Sequence, residues 1–132
     1  MGSDLSNILL DTHTLYWWLG DRNRLSAAAR QAIEDSRNKA FVSAASAWEI
    51  AIKHRLGKLQ AGEIVADFVR ILDEEGFAEL PITILHAVHV GSIRSTNKDP
   101  FDQLLAAQAQ LEHLPIVSVD KFFDRQGVQR IW

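Results

Sequence analysis

The tightest constraint on the fold comes from three short runs without a charged residue, Ile8-Leu9-Leu10, Ala40-Phe41-Val42 and Ile116-Val117-Ser118-Val119. A strand with one wet face alternates apolar and polar residues, because successive side chains point to opposite faces. Runs that lack this alternation need cover on both faces, the situation of a strand inside a parallel sheet. Stretches of helical period separate them, and strands alternating with helices specify an α/β fold.

The helices and their stops follow the same logic. Leu15, Trp18 and Leu19 recur at helical spacing between Thr12 and Leu19, before Gly20. Ser26 caps a helix over 27–35. A third helix runs from about Ala45 to Leu56, carrying Trp48, Ile52 and Leu56 on one stripe. Ile64, Val65, Phe68, Ile71 and Leu72 share one face of a single helix that Gly76 closes. Phe77 to Ile82 contains a strand, and Thr83 caps a short helix to about Val90. Residues 91–98 read as loop, and Asp99-Pro100 opens a helix to about Glu112, proline being favoured at the first position. Phe122 and Phe123 lie in a turn or short helix, and 127–131 can form an edge strand.

One domain over residues 1–132 is expected from the length, with 1–6 as an N-terminal extension or expression scar. The absence of cysteine removes disulfides, thiolate metal sites and cysteine nucleophiles. No run is long enough for a membrane span and no signal-peptide pattern opens the chain, so a cytoplasmic protein without a membrane partner is expected. The net charge of −3 decides nothing about nucleic acid, because clustered acids can mask a basic groove.

Four acids stand at comparable places: Asp11 and Asp120 after apolar strands, Glu49 and Asp102 in what read as first helical turns. In a right-handed strand–helix–strand unit, each helix begins at the edge where the preceding strand ended. Four segments can therefore aim carboxylates at the carboxyl edge of one sheet, where α/β proteins collect ligands. Each acid also has a purely structural role open to it. Asp11 can cap the next helix, Ser46 and Glu49 match a capping box, Asp99 can cap with Asp102 favouring the helix dipole, and Asp120 can make an Asx turn.

The segments around the acids resemble one family. Leu9-Leu10-Asp11-Thr12-His13-Thr14-Leu15, the run 43–53 around Trp48-Glu49, Asp99-Pro100-Phe101-Asp102 with the Ala-rich helix after it, and Ile116-Val117-Ser118-Val119-Asp120 are similar, in order, to the four acid segments of PIN-domain ribonucleases. Among these the closer resemblance is to the VapC-type toxins of bacterial toxin–antitoxin pairs. It implies a three-layer α/β/α domain around a mainly parallel sheet of four or five short strands. It also implies RNA as substrate, a homodimer, and a small antitoxin partner.

Clustered carboxylates repel one another and call for a counter-charge, and oxygen-only donors favour Mg²⁺ or Mn²⁺ over softer ions. The expected direct ligands are Asp11 and Asp102, with Asp120 and Glu49 completing the site directly or through water. Asp99, Thr12 and Ser118 are candidates just behind them, and Asp99 is equally a helix cap. His13 offers a general base, although a lone histidine there is more often simply packed. Lys53, Arg55 and Lys58 form the densest basic run and are expected RNA contacts, unless they are only a solvated face. Arg22, Arg24, Arg94, Lys98, Lys121 and Arg125 lie in expected loops or turns and can line the same groove. Trp17, Trp18 and Trp48 can stack on bases, but their spacing fits core or dimer packing better. An aspartyl-nucleophile phosphatase needs a second Asp where this chain has His13, and a receiver domain needs paired acids near its first strand. A PIN-like module that binds RNA or protein without cutting is the remaining alternative.

Overall fold

The computed structural model describes residues 6–94 and 98–132. Most of the expected N-terminal extension and the centre of the 91–98 loop lie outside the described residues. The elements are β1 (Ser6–Leu10), α1 (Thr12–Gly20), α2 (Ala27–Glu34), β2 (Asn38–Ser43), α3 (Ala44–Arg55), α4 (Gly62–Ala66), α5 (Phe68–Glu75), β3 (Ala78–Leu80), α6 (Ile84–His89), α7 (Pro100–Glu112), β4 (Ile116–Val117), α8 (Phe122–Arg125) and β5 (Arg130–Ile131). Single 3-10 turns lie over 22–24 and 90–92.

The strands form one sheet in the order β3-β2-β1-β4-β5, and every pairing is parallel. β1 lies in the middle, with Leu10 opposite Val42 on one side and Val117 on the other. Its side chains alternate between two cores. Ile8 and Leu10 pack with Leu15, Trp18, Ala29, Val42 and Ile50. Leu9 packs on the other face with Ala45, Leu105, Ile116, Phe122 and Phe123. Both faces are covered, which is why the run carries no polar alternation; each such buried aliphatic chain contributes about 1.5–3 kcal/mol. The result is the expected three-layer α/β/α arrangement.

Three local features differ from the sequence expectation. β1 begins at Ser6, because Ser6 and Asn7 continue the parallel pairing against Asn38 and Lys39. The helix expected from 62 to 76 breaks at Asp67 (φ −131°, ψ 35°) into α4 and α5. Aspartate is a weak helix-interior residue, and here its carboxylate accepts a hydrogen bond from Arg70 at 3.0 Å. Gly76 does end α5, in the left-handed conformation at φ 75°. Thirdly, α3 starts at Ala44, directly from β2, with Ser43 as its cap: the Ser43 hydroxyl accepts from the Ala45 amide at 2.9 Å. Among the described residues no helix is long and apolar enough to cross a membrane.

Candidate active site

The carboxyl ends of β1 and β4 lie side by side, and the residues that follow them face one another. Asp11 caps α1, its Oδ1 accepting from the Thr12 amide at 2.7 Å. Its Oδ2 accepts from the Ser118 hydroxyl at 2.6 Å, and the Ser118 oxygen accepts in turn from the Asp120 amide at 3.0 Å. Thr14 ties α1 to β4 by donating to the Val117 carbonyl at 2.7 Å. The Thr12 and Ser46 hydroxyls bond at 2.8 Å, fixing α1 against α3. Asp11, Thr12, Ser46, Glu49 and Ser118 are all buried, an expensive set of polar groups unless hydrogen-bonded.

Asp11, Glu49, Asp99, Asp102 and Asp120 line one pocket of about 430 Å³, together with His13, Trp17, Lys98 and Val119. Glu49 sits in the second turn of α3 rather than the first, since the helix begins at Ala44. The capping box expected at Ser46 is therefore not made, and the Ser46 hydroxyl is used on Thr12 instead. Glu49 Oε2 accepts from Lys53 Nζ at 2.5 Å, while Oε1 is buried with no hydrogen-bond partner among the described residues. Asp99 is the N-cap of α7, accepting from the Asp102 amide at 2.9 Å, and this points Asp102 from the first turn into the pocket. Asp120 makes the Asx turn, its Oδ1 accepting from the Phe122 amide at 2.9 Å. Its Oδ2 pairs with Lys98, whose ammonium also stands 3.4 Å from Asp102.

The charges feel this crowding. Burial pushes the Asp11 carboxyl up to about 6, against the Ser118 and Thr12 hydrogen bonds, with the charges of Glu49 and Asp120 adding to the rise. Burial also raises Asp102, to about 7, helped by the negative charges of Asp11 and Asp99. Asp120 is partly buried, which alone would raise it, yet the Lys98 hydrogen bond and the Phe122 amide hold it below the ordinary range. Lys53 and Lys98 behave as the counterpart: burial pulls each ammonium down, and the bonds to Glu49 and Asp120 outweigh it.

Two lysines thus pair with acids of the pocket, Lys98 as one of its walls and Lys53 through Glu49. Lys53, an expected RNA contact, is paired with Glu49, whereas Arg55 and Lys58 are exposed. Lys98, read as a loop cation, bridges Asp102 and Asp120. Glu49 and Lys53 have the four-residue spacing of a helical ion pair, but spacing alone does not set that pair apart from a solvated one, and Lys98, which precedes the cap of α7, carries no helical signal. His13 is an exposed member of the pocket wall, Trp18 is core, and Trp48 is half exposed with its ring edge-on to Phe101 at 4.9 Å.

The acids offer only hard oxygens, two of the carboxyls are hard to ionise, and among the described residues one buried carboxylate oxygen of Glu49 has no hydrogen-bond partner. That chemistry fits a hard divalent cation. Among the described residues no three His, Asp or Glu side chains stand together as a ready-made metal cage. The two ammonium groups now supply the positive charge, holding Glu49, Asp102 and Asp120.

Comparison with known proteins gives one answer. The PIN-domain family model matches residues 8–128. The chain is 34% identical over 109 residues to Ribonuclease VapC22 of Mycobacterium tuberculosis, covering 83% of this chain and 82% of that protein. Of solved structures, VapBC-1 from nontypeable Haemophilus influenzae superposes with a TM-score of 0.68 at 16% identity, over 94% of this chain and 96% of that one. VapBC2 from Rickettsia felis, solved bound to a DNA fragment from its promoter, gives a TM-score of 0.66 at 12% identity, over 96% and 99%. At such identities these structures speak for the fold alone, and they share it. The match to nearly the whole sequence, with a relative alike over most of its own length, makes this chain a member of the PIN-domain family, of the VapC type.

Proposed function

We propose that the protein is a divalent-metal-dependent endoribonuclease, the toxin of a toxin–antitoxin pair. The observation that carries the reading is the pocket shared by Asp11, Glu49, Asp102 and Asp120, with Asp11 and Asp102 reluctant to ionise and Glu49 Oε1 unpartnered among the described residues. The name of the M. tuberculosis relative, a ribonuclease, supports the activity.

Asp11 and Asp102 would hold Mg²⁺ or Mn²⁺ directly, with Asp120 and Glu49 completing the set directly or through water. The ion would supply a Lewis acid that neutralises a phosphodiester and acidifies a water for attack. The protein's own groups do the rest. Ser118 and the Thr12 amide fix the direction of the Asp11 carboxylate, and the Asp99 cap fixes that of Asp102. Lys53 and Lys98 keep the acids compatible with one another before an ion arrives. Arg55 and Lys58 offer charge to an RNA backbone. A homodimer and a small antitoxin with a basic side chain for this acidic pocket follow from the VapC-type resemblance.

Incubating RNA with the protein tests the reading: scission that needs Mg²⁺, stops with EDTA and is lost in folded Asp11→Asn is the expected result. A second reading, a PIN-like module that binds without cutting, is favoured by the ammonium groups already paired to the acids; RNA binding without metal-dependent scission would select it.

A further inference from the structure

A second pocket, of about 320 Å³, adjoins the acidic one, and the Trp17 indole is a wall of both. Its other walls are Tyr16, Gly20, Asp21, Arg24, Gln60 and Ile64. The indole is half-buried and braced from two sides, by His13 with ring centres 5.7 Å apart and by Trp132 at 6.0 Å. Tyr16 is pinned as well, its hydroxyl donating to the Gln60 carbonyl at 3.0 Å. The Arg24 guanidinium stands 5.7 Å from the Trp17 ring centre on an exposed side chain paired with Asp21 at 3.5 Å.

We propose that this pocket is a nucleobase subsite, in which one base of a single-stranded RNA beside the scissile phosphate stacks on Trp17. The inference rests on the RNA reading above and adds where the strand goes. A flat aromatic face next to a phosphate-processing pocket is what an unpaired base requires, and stacking tolerates any base because each presents a π face. A base held between indole and guanidinium needs roughly 7 Å, two contacts of about 3.5 Å. Arg24 has to swing outward by only about an ångström to admit it, and its weak, exposed ion pair leaves it free to do so. A protein helix would instead want a broad aliphatic surface, and here Ile64 stands beside two rings, a guanidinium, the Asp21 carboxylate and Gln60.

The test reads binding in EDTA, by fluorescence anisotropy of a labelled single-stranded RNA of about eight nucleotides, within the usual footprint of such sites. Trp17→Leu keeps the apolar bulk without the flat face and should weaken binding about tenfold, while Trp17→Phe stays within about threefold. In the wild type, an abasic ribose at one position of the strand should cost about as much, and in Trp17→Leu that position should no longer matter. An unchanged affinity in Trp17→Leu, an equal abasic penalty in both proteins, or no abasic-sensitive position in the wild type overturns the subsite; unchanged affinity would also leave the pocket to a protein partner. Should Trp17→Leu melt early, Trp17→Phe and the abasic series on the wild type still decide. Scission in Mg²⁺ is read separately, so Trp17-dependent binding without cutting keeps the subsite and removes the nuclease.

Discussion

At residue scale, Asp11 and Asp102 trade stability for a binding site. Their carboxyls titrate near 6 and 7 against an ordinary 3.8, so the folded protein holds two protons that the unfolded chain releases. Between about pH 4 and pH 7 the unfolded state therefore binds fewer protons, and metal-free stability falls as pH rises through that window. The expected outcome in EDTA is a melting temperature that drops from pH 5 to pH 7.5, with a smaller drop in Asp102→Asn. At pH 7.5 the variant should melt higher than the wild type and should cut no RNA. Equal pH slopes in the two proteins would mean that Asp102 ionises freely. The carboxylates themselves could be singled out in the sequence because each follows a strand or lies within the first two turns of a helix. Their lysine partners could not, since a Lys53 or a Lys98 in a basic or loop-like stretch looks the same whether it faces solvent or a buried acid.

At the scale of elements, α7 shows how a structural role and a site role share one turn. Asp99 caps the helix and thereby aims Asp102 at the pocket. Asp99→Ala should cost about 1 kcal/mol in denaturant unfolding, and Asp99→Ser, which also accepts from the helix amide, should recover most of it. Cleavage should follow stability across this pair; a stable Asp99→Ser that fails to cut would make the Asp99 charge part of the chemistry. The proline–acid start of α7 was legible for the same reason it works, as Pro100 presets the first turn. The start of α3 was not. Ser43 and Ser46 are equally good caps by residue type, and the choice is made by β2 running without a loop into the helix. The break at Asp67 escaped the pattern too, because Ile64, Phe68 and Leu72 reach the same core from both half-helices.

For the whole molecule, the parallel sheet with β1 at its centre is what brings distant segments to one edge. The fold class was legible from three unalternating runs, because burial on both faces leaves a direct mark on composition. The shape of the pocket was not, since side-chain pairings across more than 100 residues, such as Asp11 with Ser118, have no local signature. The same scale would govern the proposed affinity for RNA. A net charge of −3 leaves binding to local basic groups. Arg55→Ala combined with Lys58→Ala should lower the slope of log affinity against log salt by about 1.4, roughly 0.7 for each lost phosphate contact, and an unaltered slope would put the RNA on another face.

Under the proposed function, four carboxylates from separate segments act as one hard-cation site. Calorimetric titration of metal-free protein with Mn²⁺ at pH 8, where Asp11 and Asp102 are ionised, addresses it most directly. The wild type should bind Mn²⁺, and folded Asp11→Asn and Asp102→Asn should each lose about tenfold or more in affinity. Binding of equal strength in both variants, or none in the wild type, would contradict the account.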